Sequence, residues 1–154
     1  MKKLLIALAI TVPIAAQADF KMNSHGVIYS SAAWDNPTLD AIKYEDSEHV
    51  EFVEAPMLSH ESVVCKKDRE VISVNGQDIK FWSTEYNNKC YYAAASKAGK
   101  QFIDDAFKNG SSVTFKGRII SAMGFTKALA AQKAYVVAKE AKKNKAAERL
   151  NNAL

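Results

Sequence analysis

Residues 71–82 read Val-Ile-Ser-Val-Asn-Gly-Gln-Asp-Ile-Lys-Phe-Trp, and this stretch decides the fold class. Asn75-Gly76 supplies the two positive-φ positions of a type I′ turn, whose twist suits a two-residue loop between antiparallel strands. Apolar residues on either side complete a β-hairpin. The only two cysteines, Cys65 and Cys90, flank it. In an oxidising compartment two cysteines at this spacing form one disulfide, and closing such a loop stabilises a domain by about 3 kcal/mol. No Cys-x-x-Cys spacing is present to depress a thiol pKa, so the pair is structural rather than redox-active.

Beyond the hairpin, Lys89 to Ala94 has strand preference through Cys90-Tyr91-Tyr92. Ser96 caps a helix that ends near Asn109, with Gly110 as its stop. Ala98, Phe102, Ile103, Ala106 and Phe107 form one helical stripe that packs on the sheet. Ser112–Phe115 and Arg118–Ser121 read as a second hairpin around Lys116-Gly117. Phe125 to Leu154 contains no proline or glycine and much alanine and lysine, which predicts a long C-terminal helix. Phe125, Leu129, Val136, Ala147, Leu150 and Leu154 share one sector of it, and Lys127, Lys142, Lys145 and Arg149 another. Lys143 interrupts the apolar sector and Lys139 borders it. The helix is therefore expected to dock as far as Ala138 and to project from Lys139 onward.

Upstream, Val27–Tyr29 suggests a first strand. Asn36-Pro37 reads as a helix start, with Leu39, Ile42 and Lys43 on one face of a short helix through Tyr44. Glu45, Asp46 and Glu48 form a solvated connection to a strand over His49–Glu54, with Val50 and Phe52 on one face and His49, Glu51 and Val53 on the other. Strands, hairpins and helices in this order predict an α+β fold: a small, mostly antiparallel sheet, one packed helix and the long C-terminal helix.

Met1 to Ala18 has the three parts of a secretory signal peptide: Lys2 and Lys3, an apolar run from Leu4, and the Ala16-Gln17-Ala18 end, with cleavage expected before Asp19. The apolar run is shorter than the ~20 residues of a spanning helix and contains Pro13. The division of the chain is thus a leader over 1–18, one domain over 19–138 and a projecting basic end over 139–154. Its location is periplasmic or secreted, with no transmembrane segment after cleavage. Charge is polarised: Asp19–Glu61 holds 2 basic and 9 acidic residues, whereas Ile119–Leu154 holds 7 basic and 2 acidic. Internal pairing of the two ends is the plain explanation, and a basic surface for an anionic partner the functional one.

Catalytic patterns are missing from the sequence. His25, His49 and His60 form no His-x-x-x-His or His-Glu-x-x-His motif, so no metal is expected. No Gly-x-Ser-x-Gly elbow, phosphate loop or dinucleotide fingerprint occurs, and no cofactor is implied. Asp104-Asp105 and Glu45-Asp46 are sequence neighbours and are expected to be solvated. The lysines are not interleaved with aromatics, which argues against nucleic acid.

Aromatics are the better clue. Phe81, Trp82, Tyr86, Tyr91 and Tyr92 crowd around the cysteine loop, and Trp34 lies upstream. On strands Phe81 and Trp82 point to opposite faces, as do Tyr91 and Tyr92, so one of each pair cannot enter a one-sided core. The outward rings are either covered by the C-terminal helix or form a contact surface. The candidate binding surface comprises these five aromatics together with Lys142, Lys145 and Arg149. The functional expectation is a secreted or periplasmic non-enzymatic interaction protein, an inhibitor or accessory factor whose partner is an envelope or extracellular protein. The alternatives are a small cell-envelope hydrolase using His49 or His60, and a module making weak contact with an anionic membrane or polysaccharide surface.

Overall fold

Asn75 and Gly76 take φ of 50° and 80°, so the type I′ geometry is met at the turn that joins Arg69–Val74 to Gln77–Tyr86. The computed structural model describes residues 19–32, 37–58, 61–66 and 68–151. The leader, Trp34, the cap at Asn36, His60 and Leu154 lie outside them. Eleven elements follow in order: β1 Lys21–Met22, β2 Ile28–Ser31, β3 Thr38–Lys43, β4 Glu51–Ala55, β5 Arg69–Val74, β6 Gln77–Tyr86, β7 Lys89–Ala94, α1 Lys97–Asn109, β8 Ser112–Phe115, β9 Arg118–Ser121 and α2 Phe125–Asn151. The fold class is α+β, as the hairpins and helical stretches imply.

All strands join one antiparallel sheet in the order β1-β2-β3-β4-β7-β6-β5-β8-β9. The sheet curls until its ends approach, and a bridge between Ala32 and Ile120 links them. Asn75 has a second role here. Its main-chain N–H donates to the Thr114 carbonyl at 3.0 Å, and its side-chain oxygen accepts from the Thr114 N–H at 2.7 Å. The hairpin turn thereby holds β8 beside β5, where only Val74 and Phe115 are in register.

The concave face is aromatic. Phe115 stacks on Phe52 with centroids 4.0 Å apart and meets Phe81 and Tyr92 edge-on at 5.5 and 5.4 Å. Rings in these arrangements add about 1 kcal/mol per pair to what burial alone contributes. Within the same face Glu54 accepts from the Tyr92 hydroxyl at 2.5 Å and from Lys116 Nζ at 3.0 Å, and Arg118 approaches its second oxygen at 3.4 Å. A buried carboxylate is tolerated there because both cations reach it.

The disulfide forms between Cys65, in the β4–β5 connection, and Cys90 at the start of β7, with Cα atoms 5.3 Å apart. It ties the approach to the hairpin to the strand that follows it.

Two local expectations are corrected. The helix proposed from Asn36-Pro37 through Tyr44 is instead β3, whose burial alternates with a period of two: Leu39, Ala41 and Lys43 face inward. Pairing on both edges, with β2 and β4, outweighs the helix-start signal. In α1, Ser96 caps as expected by accepting from the Gly99 N–H at 3.0 Å, but the buried stripe is rotated. Gly99, Ile103, Asp104 and Phe107 face inward, while Ala98 is exposed and Phe102 is 37% exposed.

Helix α2 packs on β1, β2 and α1. Phe125, Ala128 and Gln132 are buried, and Leu129 packs against the core. The Gln132 side-chain amide donates to the carbonyls of Gly26 at 2.7 Å and Lys43 at 3.0 Å. Every described residue from Val137 onward is exposed.

Candidate functional site

Strand alternation sorts the aromatic candidates into two sets. Phe81 and Tyr92, at 0% and 1% exposure, belong to the core and drop out of the candidate surface. Trp82 and Tyr86 are 45% and 65% exposed, and Tyr91 is half-buried beside them. The expectation that the C-terminal helix covers the outward rings fails, because α2 lies against β1, β2 and α1 rather than across β6 and β7. Lys142, Lys145 and Arg149 sit together on the exposed end of α2, where they line a shallow surface with Ala146 and Leu150. They do not line the aromatic groove.

That groove crosses the convex face of β4, β7 and β6. Trp82, Tyr86 and Tyr91 border it with Tyr44 from the segment after β3, Glu51 stands among them, and its volume is about 380 Å³. Trp82 pairs across the strands with Ala93, and Thr84 with Tyr91, so two small residues form the floor between large rings. Placement on strands makes the arrangement rigid. The Arg69 guanidinium lies 4.1 Å from the Trp82 ring centroid and fixes the indole from one side.

The electrostatics of the groove are set by desolvation. Burial, then the neighbouring Tyr91 and Glu51, pushes the Tyr44 hydroxyl up to about 12. Burial likewise holds the Glu51 carboxyl above the ordinary carboxylate range, against the opposing pull of Lys100.

Trp82 also borders a second groove of about 580 Å³, which Arg69, Ile79 and Phe102 share between β6 and the start of α1. The two grooves thus meet at one exposed indole.

The histidine candidate has a structural assignment. His49 Nδ1 lies 2.7 Å from Asp104 Oδ2, and Asp104 Oδ1 accepts from the Val50 N–H at 3.1 Å. Asp104 is 6% exposed, which corrects the expectation that it is solvated, whereas the Asp105 side chain is half exposed. Its carboxylate ties α1 to the entry of β4, a contact between residues far apart in sequence. The other ring nitrogen of His49 faces Glu48 at 3.8 Å, and the nearby Ser47 hydroxyl bonds the main chain of His49 rather than its ring. The Ser47 hydroxyl is thus not paired with the imidazole in the way a nucleophile is paired with its base. Among the described residues no group of three or more His, Cys, Asp or Glu side chains could hold a metal ion.

Comparison with protein-family models, with curated proteins and with solved structures finds no match. The disulfide fits an extracellular or periplasmic protein. No helix among the described residues is long and apolar enough to cross a membrane.

Proposed function

We propose that this is a non-enzymatic binding protein of the periplasm or the exterior, which recognises an envelope or extracellular protein through the face centred on Trp82. The observation that carries the reading is the exposure of Trp82 and Tyr86 on strands whose inward neighbours already fill the core. Their exposure is not needed for folding, and rigid aromatic surface of this kind dominates recognition energetics. An inhibitor or accessory factor needs such a face and no catalytic groups. The same reading takes Met1–Ala18 as a leader removed before Asp19.

A photo-activated cross-linker placed at Phe102, in the groove shared with Trp82, tests the reading in envelope extracts. A discrete protein adduct is expected from that position and not from Lys142. Adducts from Lys142 alone would move recognition to the basic helix, and none from either position would remove the proposal. N-terminal mass analysis of the exported chain is expected to begin at Asp19.

A second reading is supported by the exposed Lys142, Lys145 and Arg149 beside Leu150, which is 78% exposed. In it the end of α2 makes weak contact with an anionic surface. Sedimentation with anionic vesicles that persists unchanged at high salt would exclude that mechanism.

A further inference from the structure

The recognition face contains a smaller feature with its own chemistry. In the groove on β4, β7 and β6, the side chains of Tyr44, Trp82, Tyr86 and Tyr91 line an open hollow that also holds one carboxylate, Glu51. The faces of aromatic rings carry negative potential, and several rings lining one hollow attract a cation placed among them. An apolar ligand would have no use for the carboxylate. An anion would meet it as a like charge.

The type of cation follows from the shortage of strong acceptors. Besides Glu51 the groove offers hydroxyl groups of tyrosine and of Thr84. A primary ammonium is strongly hydrated and would exchange its water shell for few hydrogen bonds. A fully methylated ammonium has no N–H to satisfy, spreads its charge over its methyl groups and fits against ring faces. Three protein cations stand near the groove without lining it: Lys100 acts on Glu51 but lines a neighbouring hollow, Arg69 lies against Trp82 in the other groove, and Lys89 is the cross-strand partner of Tyr86.

We propose that this groove binds a quaternary ammonium group of the choline type, held by Trp82, Tyr86 and Tyr91 with Glu51 as the counter-charge. The inference rests on reading this face as a recognition surface and adds to it a small-ligand subsite. The remaining charged neighbours of Glu51 are Lys100 and Asp46, and they oppose one another.

The test uses the purified chain after export and compares choline with 3,3-dimethylbutan-1-ol, its uncharged isostere, at matched ionic strength. Calorimetry gives the affinity, and the Trp82 indole resonance reports the site. Saturable choline binding is expected, with the isostere at least about ten-fold weaker, the size of effect a desolvated cation–π site produces. Glu51→Gln and Trp82→Leu should each weaken choline several-fold. Tyr86→Leu, at a position 65% exposed, supplies a variant that leaves the core untouched. Equal binding of the isostere, failure of choline to saturate the site, or indifference to both Trp82→Leu and Tyr86→Leu would overturn the proposal. Cross-linking from Phe102 is scored separately, so a protein adduct without choline binding removes the subsite alone. Phosphatidylcholine vesicles that carry the protein down would assign a lipid headgroup as the source; binding of free choline without sedimentation would assign the soluble cation.

Discussion

Arg69 and Trp82 face each other across the β5–β6 hairpin, with the guanidinium 4.1 Å from the indole centroid. An exposed pair of this kind contributes about 0.5–1 kcal/mol and holds a large side chain in one rotamer. Arg69→Met is therefore expected to lower stability by no more than about 1 kcal/mol while weakening choline binding several-fold, since the ring must then be ordered on binding. Denaturant midpoints and calorimetry on the same variant measure the two effects. Unchanged or tighter binding would show that Arg69 does not organise the groove.

The staple makes a larger contribution. Replacing both Cys65 and Cys90 by serine should cost about 3 kcal/mol in urea unfolding, and reduction of the native protein should move the midpoint by a similar amount. A midpoint insensitive to reductant would mean that the connection between β4 and β5 is held by other contacts.

Glu51 gives a dependence on pH whose sign is fixed by its raised pKa, caused first by burial. An acid raised on folding favours the folded state while protonated, and that contribution is lost as pH rises through the folded value. At neutral pH its ionised form is a burden. Glu51→Gln should therefore be more stable than the native chain at pH 7, with the difference disappearing below the ordinary carboxylate range. Lys100 and Asp46 are the charged groups to control for. Thermal unfolding at several pH values measures it, and a variant less stable at pH 7 would contradict the assignment.

Gln132 is the peg of α2, 3% exposed and bonded to two carbonyls. Gln132→Leu strands both acceptors, and a loss of about 2–3 kcal/mol is expected. Gly26 should be equally intolerant. Its φ is +74°, and an added Cβ would lie 2.6 Å from the Tyr135 ring. Gly26→Ala should destabilise, and Tyr135→Ala in the same chain should recover the steric part but not the conformational part. Full recovery would mean that backbone strain is negligible at that turn.

Glu54 joins Tyr92, Lys116 and Arg118 within the sheet's concave face. Removing the shared acceptor by Glu54→Leu leaves two cations facing a partly dry interior, and about 3 kcal/mol should be lost in equilibrium unfolding. A neutral outcome would place these cations in solvent.

The local codes in the chain were legible where chemistry is confined to a few neighbouring residues. Asn75-Gly76, Lys116-Gly117, the Ser96 cap and the alanine-rich α2 each carry their own instruction. The Asn87-Asn88 turn between β6 and β7 carries an equally local code, since asparagine tolerates the positive φ that both residues adopt. Around Pro37 the local signal misleads, because β3 exists through hydrogen bonds to β2 and β4 that no nearby residue announces. The candidate site divides in the same way. Alternation told that one ring of each adjacent pair must leave the core, but which ring, and that Tyr44 and Glu51 join Trp82, depends on the order β4-β7-β6. The bond between His49 and Asp104 is of the same long-range kind.

The bridge from Ala32 to Ile120 also sets a clock. The hairpins at Asn75-Gly76 and Lys116-Gly117 are local and can form within microseconds, but the curl closes only when its two ends meet. Ile120, fully buried in β9, reaches its place in the core only when that strand meets the far end of the sheet. Closure between distant segments is the slow kind of folding event. Refolding is therefore expected to be limited by the meeting of the two ends of the sheet rather than by either hairpin.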